Sequence, residues 1–312
     1  MAEMPKRVLG DDGPEVSVIG LGCNNFGRRV ELDGTRAVVD AALEEGITFF
    51  DTSNTYGSPH GRSEEFLGEV LEGRRDRVVL ATKFGMDMGD GLGPRGSRDY
   101  ILQAVEASLR RLRTDVIDYY WYHQPDGVTP IAETLEALDG LVRAGTVRAI
   151  GASNFSARQI EEADAVARER GFARFTSIQN QYSLLVRDPE SEVLPTCERL
   201  GLGFVPFFPL ASGLLTGKYR RGEAAPAGTR LAERPQAGTD QQFDVVEALE
   251  RYAEAREVSV TDVAIGALLA RRPVSTVIAG ATKPEQVRAN AAAARWTPTE
   301  HDMSELEELL NQ

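Results

Sequence analysis

Residues 20–27, with the sequence Gly20-Leu21-Gly22-Cys23-Asn24-Asn25-Phe26-Gly27, end the first predicted strand and decide between the two folds open to an alternating α/β chain. In an open, doubly wound sheet of the Rossmann type, the pattern Gly-x-Gly-x-x-Gly follows the first strand directly. Here the glycine spacing after that strand is wrong. A literal copy of the pattern at residues 91–96 follows polar residues instead of a strand and contains a proline where the helix would begin, which is typical of a loop. The spacing therefore favours a closed (β/α)8 barrel.

The remainder of the chain alternates short apolar segments with amphipathic ones. The eight predicted strands are residues 16–21, 48–51, 78–82, 116–120, 147–151, 175–179, 203–208 and 276–279. Between them, apolar residues recur at helical spacing, as over residues 101–112. Ser156 and Gln159 have the spacing of a capping box, Asp188-Pro189 predicts the start of a helix, and Gly46 predicts the end of one.

The composition is that of a globular protein with an acidic surface. The 312 residues suit one barrel, for which about 250 residues is typical, so we expect a single domain over residues 1–312. Asp and Glu outnumber Lys and Arg by 48 to 35, and the net charge of −13 disfavours nucleic-acid binding. No apolar run is long enough for a membrane span, and the N-terminus is charged where a signal peptide is apolar. We therefore expect a cytoplasmic protein without a membrane partner.

The cysteines and histidines do not have the spacing of a metal centre. Cys23 and Cys197 lack Cys-x-x-Cys spacing. His60, His123 and His301 lie far apart in the chain, without the paired histidines of a zinc protease. We therefore expect neither a disulfide framework nor a bound metal.

Four side chains with catalytic potential follow the second, third and fourth predicted strands. Asp51 ends the second strand and Tyr56 lies five residues further on, while Lys83 and His123 end the next two strands. In a barrel, the carboxyl ends of the strands meet at one rim. A buried lysine there needs a carboxylate partner, and its ammonium lowers the pKa of a neighbouring tyrosine from about 10. The tyrosine then serves as a general acid, and His123 orients the substrate oxygen or shares in the proton transfer.

Each of these four residues also has an ordinary structural interpretation. An Asp after a strand often caps a helix, and a Lys at a strand end often extends to water. A Tyr in a loop commonly packs with its hydroxyl hydrated, and a single His is more often structural than catalytic. Taken one at a time, the structural interpretations would prevail, but four such residues at adjacent strand ends favour the catalytic hypothesis.

At these residues the sequence resembles the aldo-keto reductase superfamily over nearly its whole length. The matching motifs are Gly-Leu-Gly at 20–22, Phe-Asp-Thr-Ser at 50–53, Tyr-Gly at 56–57, Thr-Lys at 82–83, His-Gln-Pro-Asp at 123–126, Gly-Ala-Ser-Asn-Phe at 151–155, Gln-Asn-Gln-Tyr-Ser-Leu-Leu at 179–185 and Pro-Leu-Ala-Ser-Gly-Leu-Leu-Thr-Gly-Lys-Tyr at 209–219. The resemblance implies a single (β/α)8 TIM barrel with an N-terminal β-hairpin and extra C-terminal helices. It also implies that Asp51, Tyr56, Lys83 and His123 form a catalytic tetrad, with Tyr56 as the proton donor. Members that reduce carbon–carbon double bonds carry Glu at the position of His123, so His favours carbonyl reduction.

The resemblance further implies that NADP(H) binds along the same rim, in extended form. Ser153, Asn154 and Gln179 correspond to the residues that bind the carboxamide, for which neutral donors and acceptors are suited, although Asn154 alone is equally suited to closing a loop. Phe207 replaces a stacked tyrosine, and Phe208 replaces a serine on the phosphate side. The predicted cofactor residues are Gly22, Cys23, Asn24, Asp51, Ser153, Asn154, Gln179, Phe207, Phe208, Pro209, Leu210, Ser212, Gly213, Lys218, Gly280, Lys283, Gln286 and Asn290.

The segment after the eighth predicted strand has the features of an anion site. Pro284 suits the first position of a helix, whose N-terminal N–H groups attract anions, and Lys283 adds a charge there. Gln286 and Asn290 lie on one helix face, as two contacts to an adenine edge require. Many relatives have Lys at the position of Gly280 and Arg at that of Gln286, so this chain has fewer positive charges. We predict NADP(H) over NAD(H); a capped surface helix with a solvated Lys is the structural alternative.

The substrate pocket is less defined by the sequence than the catalytic residues. Its candidate residues are Asn24, Asn25, Asn54, Phe84, Met86, Met88 and Gln124, together with the insertion at residues 216–240. Such an insertion next to a barrel rim is typical of a lid or clamp, or else of a tolerated surface loop. The polar wall is compatible with small aldehydes, diketones or sugar-derived carbonyls.

Three hypotheses for the function follow. The first is an NADPH-dependent carbonyl reductase, a monomer or weak homo-oligomer acting on a small carbonyl compound. The second is an NADP(H)-binding, redox-sensing regulatory subunit with slow turnover, because potassium-channel β subunits resemble the same superfamily. The third is an unrelated barrel enzyme, a hydrolase or isomerase, that uses the same four groups.

Overall fold

The computed structural model describes residues 3–226, 229–233 and 238–311. It begins with an antiparallel hairpin of β1 (Lys6–Val8) and β2 (Glu15–Ser17). The predicted strand over residues 16–21 is therefore wrong as one element, because β2 ends at Ser17 and β3 (Ile19–Gly22) starts a second sheet. The hydroxyl of Ser17 donates to the Ile19 carbonyl at 2.6 Å, which fixes the break between the two strands.

The second sheet has eight parallel strands in the order β10-β3-β4-β5-β6-β7-β8-β9. After β3 its strands are β4 (Phe49–Asp51), β5 (Val79–Phe84), β6 (Ile117–Tyr122), β7 (Val147–Ser153), β8 (Phe175–Gln179), β9 (Gly203–Phe204) and β10 (Val277–Gly280). Backbone hydrogen bonds join the two edge strands: the Phe204 N–H donates to Pro273 at 3.0 Å, and the Ile278 N–H donates to Pro206 at 3.2 Å. These bonds close the sheet and confirm the predicted (β/α)8 barrel.

The seventh barrel strand is shorter than the predicted segment 203–208. Pro206 has no N–H to donate to a sheet, and the Phe207 N–H turns to the Asn180 carbonyl at 3.1 Å. β9 therefore ends at Phe204, and the chain after it is free to line the rim of the barrel.

Eleven α-helices are seen in the described residues. They are α1 (Leu32–Glu44), α2 (Arg62–Val70), α3 (Arg98–Leu112), α4 (Ile131–Arg143), α5 (Ala157–Arg170), α6 (Val193–Leu200), α7 (Arg230–Glu233), α8 (Asp240–Glu254), α9 (Val260–Ala270), α10 (Pro284–Ala293) and α11 (Glu300–Leu310). Leu249, Val263 and Leu306 join α8, α9 and α11 in a separate apolar cluster, as predicted for extra C-terminal helices. Within the part of the chain that the structure describes, no helix is long and apolar enough to cross a membrane.

Two of the three predicted helix boundaries are confirmed. Ser156 and Gln159 form the capping box of α5, and Gly46, at φ +78°, follows α1. Residues 188–190 form only a 3-10 turn, because Glu192 has φ −136° and interrupts the helical backbone before α6. The prediction of a helix starting at Asp188-Pro189 is therefore wrong by five residues.

The inside of the barrel is filled by side chains, so the site lies above a solid floor. The Trp121 ring packs 4.5 Å from that of Tyr119, whose hydroxyl bonds with Thr176 and Ser177 at 2.7 Å. Gly151 makes room for the indole, since a Cβ there would lie 2.5 Å from a ring carbon of Trp121. In β5, Lys83 is paired in register with Trp121 and stands at the upper edge of this floor.

Candidate active site

The structure brings the four predicted catalytic residues together at the carboxyl ends of β4, β5 and β6. The fully buried Lys83 ammonium forms an ion pair with the Asp51 carboxylate and donates to the Thr52 carbonyl at 2.9 Å. It also lies 3.5 Å from the Tyr56 hydroxyl and 5.0 Å from the centre of the Tyr56 ring. Asp51, Lys83 and Tyr56 thus form a continuous chain from the barrel interior to the rim.

The carboxylate of Asp51 is held on both oxygens. One accepts from Lys83, and the other accepts from the Gln179 side-chain amide at 3.2 Å. Burial raises the pKa of Asp51, and the charge of Lys83 opposes that effect. Burial also acts to lower the pKa of Lys83, but the Asp51 carboxylate outweighs it, so the net shift of Lys83 is upward. The lysine therefore stays charged at neutral pH.

The expected lowering of the Tyr56 pKa is not what the structure gives. Burial raises the pKa of Tyr56, and the neighbouring ammonium of Lys83 only partly offsets the rise. The burial of the hydroxyl is a property of the folded molecule, which spacing along the chain does not show. At neutral pH Tyr56 is therefore a protonated phenol with the Lys83 ammonium beside its oxygen.

His123 stands across from Tyr56, with the two ring centres 6.0 Å apart and the rings nearly perpendicular. Its Nδ1 lies 3.2 Å from the Ser53 hydroxyl, and its backbone N–H donates to the Phe84 carbonyl at 2.7 Å. Burial, reinforced by the charge of Lys83, lowers the pKa of His123 well below its ordinary value. The imidazole is therefore neutral at pH 7.

A cavity of about 930 Å³ opens above these residues, and most of the predicted contacts line it. The predicted residues on its wall are Gly22, Asn24, Asn25, Asp51, Tyr56, Met86, His123, Gln124, Ser153, Asn154, Gln179, Phe207, Phe208, Pro209, Leu210, Ser212, Gly213, Lys218, Gly280, Gln286 and Asn290. The carboxyl ends of β3, β4, β6, β7, β8 and β10 thus all reach one space.

Six predicted residues are not on that wall. Lys83 is covered, and Cys23 is buried with its thiol 3.4 Å from the Leu21 carbonyl. Phe84 is also buried, stacked on Tyr122 with 5.1 Å between ring centres. The other three are Asn54, which is buried, Met88, and Lys283, which is exposed at the start of α10. Cys23, Asn54, Phe84, Met88 and Lys283 therefore lie outside the cavity wall in this structure, and the cofactor roles of Cys23 and Lys283 stay predictions.

Asn154 illustrates how one residue combines two roles. Its side-chain amide donates to the His123 carbonyl at 2.9 Å and to the Ser153 hydroxyl at 3.1 Å. Its backbone lies in the left-handed region at φ +60°. The loop-closing interpretation of Asn154 therefore applies, while the residue still faces the cavity.

The backbone between residues 208 and 213 is unusual and forms part of the cavity wall. Phe208, Ala211 and Ser212 have φ values of +53°, +46° and +58°, and Gly213 follows at +96°. A left-handed conformation in a residue other than glycine costs about 1–3 kcal/mol and persists where the surroundings fix it. The N–H groups of Ala211 and Gly213 donate to the carbonyls of Phe208 and Leu210, at 2.9 and 2.7 Å, which holds the segment in this conformation.

Several cavity residues were missed by the sequence analysis. They are Arg28, Arg29, Thr55, His60, Asp87, Thr261, Ile278, Ala279, Thr282 and Ala289, whereas Thr216 and Thr229 belong to the predicted insertion. The pair Arg28-Arg29, directly after the stretch that decides the fold, was the one visible signal. The other residues are mostly in loops, or on helix faces whose orientation follows only from the tertiary fold.

The insertion at residues 216–240 reaches across the cavity to the loop after β3. Its residues 227, 228 and 234–237 lie outside the described residues. Glu233 of α7 forms an ion pair with Arg29, which follows β3. The two residues are 204 positions apart, and both Arg29 and Thr229 line the cavity. Among the described residues, no three His, Cys, Asp or Glu side chains are grouped as a metal site requires.

Comparison with known proteins gives consistent results. A model of the aldo/keto reductase family matches residues 18–311. L-glyceraldehyde 3-phosphate reductase of Escherichia coli (strain K12) is 33% identical over 306 residues, covering 93% of this chain and 88% of the relative. The uncharacterized oxidoreductase YrpG of Bacillus subtilis (strain 168) is 38% identical over 302 residues, with coverages of 91% and 89%. A probable voltage-gated potassium channel subunit beta of Oryza sativa subsp. japonica is 34% identical over 307 residues, with coverages of 95% and 92%.

Proposed function

Because the chain belongs to the aldo/keto reductase family of oxidoreductases, we propose that it reduces aldehydes or ketones to alcohols with NADPH as the reductant. The observation that carries this proposal is the series of contacts Asp51–Lys83–Tyr56, buried at Asp51 and Lys83, which ends at the wall of a large cavity opposite a neutral His123. A protonated phenol with a cation behind it and a neutral imidazole facing it is the arrangement that protonation of a carbonyl oxygen needs.

The cavity suits a nicotinamide dinucleotide in size and in its donor set. Its volume of about 930 Å³ is at the upper end of the range for small-molecule sites. The hydroxyl of Ser153 and the amides of Asn154 and Gln179 would hold the neutral carboxamide. The Ser212 hydroxyl, the Lys218 ammonium and the start of α10 would hold the phosphates. When bound, the cofactor supplies the hydride.

Within this proposal, the residues of the chain handle the proton. Tyr56 transfers its proton to the carbonyl oxygen as negative charge develops there. The ammonium of Lys83 stabilises the tyrosinate that remains, and Asp51 keeps that ammonium charged inside the protein. His123, neutral at pH 7, donates one N–H to the same oxygen and fixes its position.

For the substrate class, we propose small polar aldehydes, including phosphorylated ones. The relative from Escherichia coli is named for a reaction of a phosphorylated aldehyde. The cavity wall of this chain combines Arg28, Arg29 and His60 with the polar Gln124. A guanidinium at the mouth of the cavity is suited to binding a phosphate or carboxylate group of the substrate.

The test combines calorimetric titration with NADPH and steady-state turnover on a panel of aldehydes and ketones. We expect NADPH to bind at one site per chain and aldehydes to be reduced over many turnovers. Paired substrates, glyceraldehyde with and without a phosphate, test the substrate class: a lower KM for the phosphorylated form is expected, and Arg28→Ala should abolish that difference. Absence of NADPH binding contradicts the proposal.

A second candidate function is a redox-sensing regulatory subunit with slow turnover. It is favoured by the relatives from Oryza sativa and Arabidopsis thaliana, which are named as probable potassium channel β subunits and are 34% and 32% identical to this chain. The same titration separates the two functions. Tight NADPH binding with about one hydride transfer per chain and negligible steady-state turnover on every carbonyl supports the sensor.

A further inference from the structure

Ser53 is a buried residue beside the site to which the reaction described above assigns no role. It is fully buried, and its hydroxyl lies 3.2 Å from Nδ1 of His123, which is itself only 8% exposed. A neutral imidazole carries one proton, on either Nδ1 or Nε2. A hydroxyl adapts to both forms, so its other hydrogen bonds determine which one it favours.

The remaining contacts of Ser53 favour the hydroxyl as a donor to His123. The Thr55 N–H donates to the Ser53 oxygen at 3.3 Å, and the Thr55 hydroxyl lies 3.0 Å from the same oxygen. If Thr55 supplies both of these hydrogens, the two lone pairs of Ser53 are filled and its own hydrogen points to Nδ1. The competing acceptor, the Asn54 side-chain oxygen, is at 3.4 Å, the longest of these contacts.

We propose that Ser53 is a positioning residue that holds His123 in the tautomer with its proton on Nε2. Because Nδ1 faces Ser53, Nε2 is the nitrogen left for the cavity that His123 lines. In this tautomer the ring presents an N–H to a carbonyl oxygen. In the other tautomer it presents a lone pair, which repels that oxygen. The catalytic consequence rests on the proposed function, but the tautomer itself does not.

The tautomer is measured directly, without substrate or cofactor, by two-bond proton–nitrogen correlation spectra of protein labelled with ¹⁵N-histidine. The chain has three histidines, and His123→Asn assigns the signal of interest. His60 is an internal reference, since its Nδ1 lies 2.8 Å from the Thr55 carbonyl, which only accepts, so that neutral His60 carries its proton on Nδ1. We expect the opposite pattern for His123, and a shift toward the Nδ1–H form in Ser53→Ala. An Nδ1–H pattern in the wild type overturns the proposal, as does an unchanged pattern in Ser53→Ala.

Kinetics test the consequence for catalysis. We expect Ser53→Ala to lower kcat for aldehyde reduction about tenfold, the effect of one hydrogen bond, with the NADPH dissociation constant unchanged. Ser53→Thr keeps the hydroxyl and should restore both the Nε2–H pattern and the rate. Ser177→Ala is the matched control, because it removes a buried serine hydroxyl that bonds with Tyr119, and both readouts should stay at wild-type values. A wild-type kcat in Ser53→Ala contradicts the catalytic role, whereas absence of carbonyl turnover in every form contradicts the proposed function and leaves the spectra as the test of the tautomer.

Discussion

At the scale of single residues, the site depends on one buried charge. Lys83 is completely enclosed, and its ammonium contacts Asp51, the Thr52 carbonyl and Tyr56. Burial alone makes Tyr56 harder to ionise, and Lys83 is the group that opposes this. In the proposed reaction, the phenol keeps its proton until negative charge develops on the carbonyl oxygen, and the resulting tyrosinate forms beside the fixed Lys83 ammonium.

The role of Tyr56 as the acid is tested with Tyr56→Phe. The ring and its packing stay, while the transferable proton is lost, so kcat for aldehyde reduction should fall by about 10²–10⁴-fold. The NADPH dissociation constant, measured by calorimetry, should stay within a few-fold of the wild-type value, because Tyr56 is not assigned a cofactor contact. A near-normal kcat would make His123 the proton donor instead.

Lys283 provides a test of cofactor selectivity. It is exposed beside Thr282 and Gln286, two residues of the cavity wall, at the start of α10. Removing its charge with Lys283→Ala should weaken NADPH binding. We expect a loss of only about tenfold, because solvent screens an exposed contact, and NADH binding should be unchanged. Arg288→Ala is the matched control on the same helix, because Arg288 pairs with Glu44 at 3.4 Å. Equal losses for NADPH and NADH in Lys283→Ala would show a purely structural role.

At the scale of elements, strand ends place the candidate catalytic residues, and loops form much of the cavity wall. Asp51, Lys83 and His123 were predictable because each lies at the carboxyl end of a strand, and parallel strands present these ends at one rim. The contact between Arg29 and Glu233 was not predictable, because it depends on the path of an insertion across 204 positions. The shortening of β9 by Pro206 was visible in the sequence, since proline cannot donate to a sheet.

The insertion provides a prediction at this scale. If residues 216–240 act as a clamp on the cofactor, Glu233→Ala should loosen the clamp, because it removes the ion pair with Arg29. A partly exposed ion pair is worth about 0.2–1 kcal/mol, so NADPH dissociation measured by stopped flow should become about 1.4- to 5-fold faster. Glu223→Ala, an exposed acidic residue of the same segment, should leave the rate unchanged. Equal rates in Glu233→Ala and the wild type would identify the pair as a surface contact only.

At the scale of the whole molecule, the cavity connects elements that are far apart in the chain. The ends of β3, β7, β8 and β10 all contribute to its wall, together with α10. The closure that makes this possible is a pair of backbone hydrogen bonds beside β9, which no local pattern predicts, whereas the alternation of strands and helices predicted the barrel itself. The pKa of Tyr56 belongs to this scale too, because the burial that raises it is a property of the folded molecule, and for that reason the direction of the shift was predicted wrongly.

A ligand that spans these elements should stabilise the entire barrel. With NADPH at 100 times its dissociation constant, mass action adds about 2.7 kcal/mol to the free energy of unfolding. This corresponds to a rise in Tm of roughly 5 °C, measured by differential scanning calorimetry. The transition should remain a single one, because the bound ligand connects both halves of the barrel. A Tm independent of NADPH concentration would contradict binding in this cavity.

The packing of Trp121 has an optical consequence. The chain has two tryptophans: Trp121 in the floor of the barrel, in register with Lys83, and Trp296, which packs against Gly266 of α9 in the outer helical layer. Indole emission overlaps the absorption band of a reduced nicotinamide, so a dihydropyridine ring above Asp51 would accept excitation energy from Trp121. Oxidation of that ring removes the acceptor band. The fluorescence of Trp121 should therefore report, without any label, the redox state of a nicotinamide bound above the floor of the barrel.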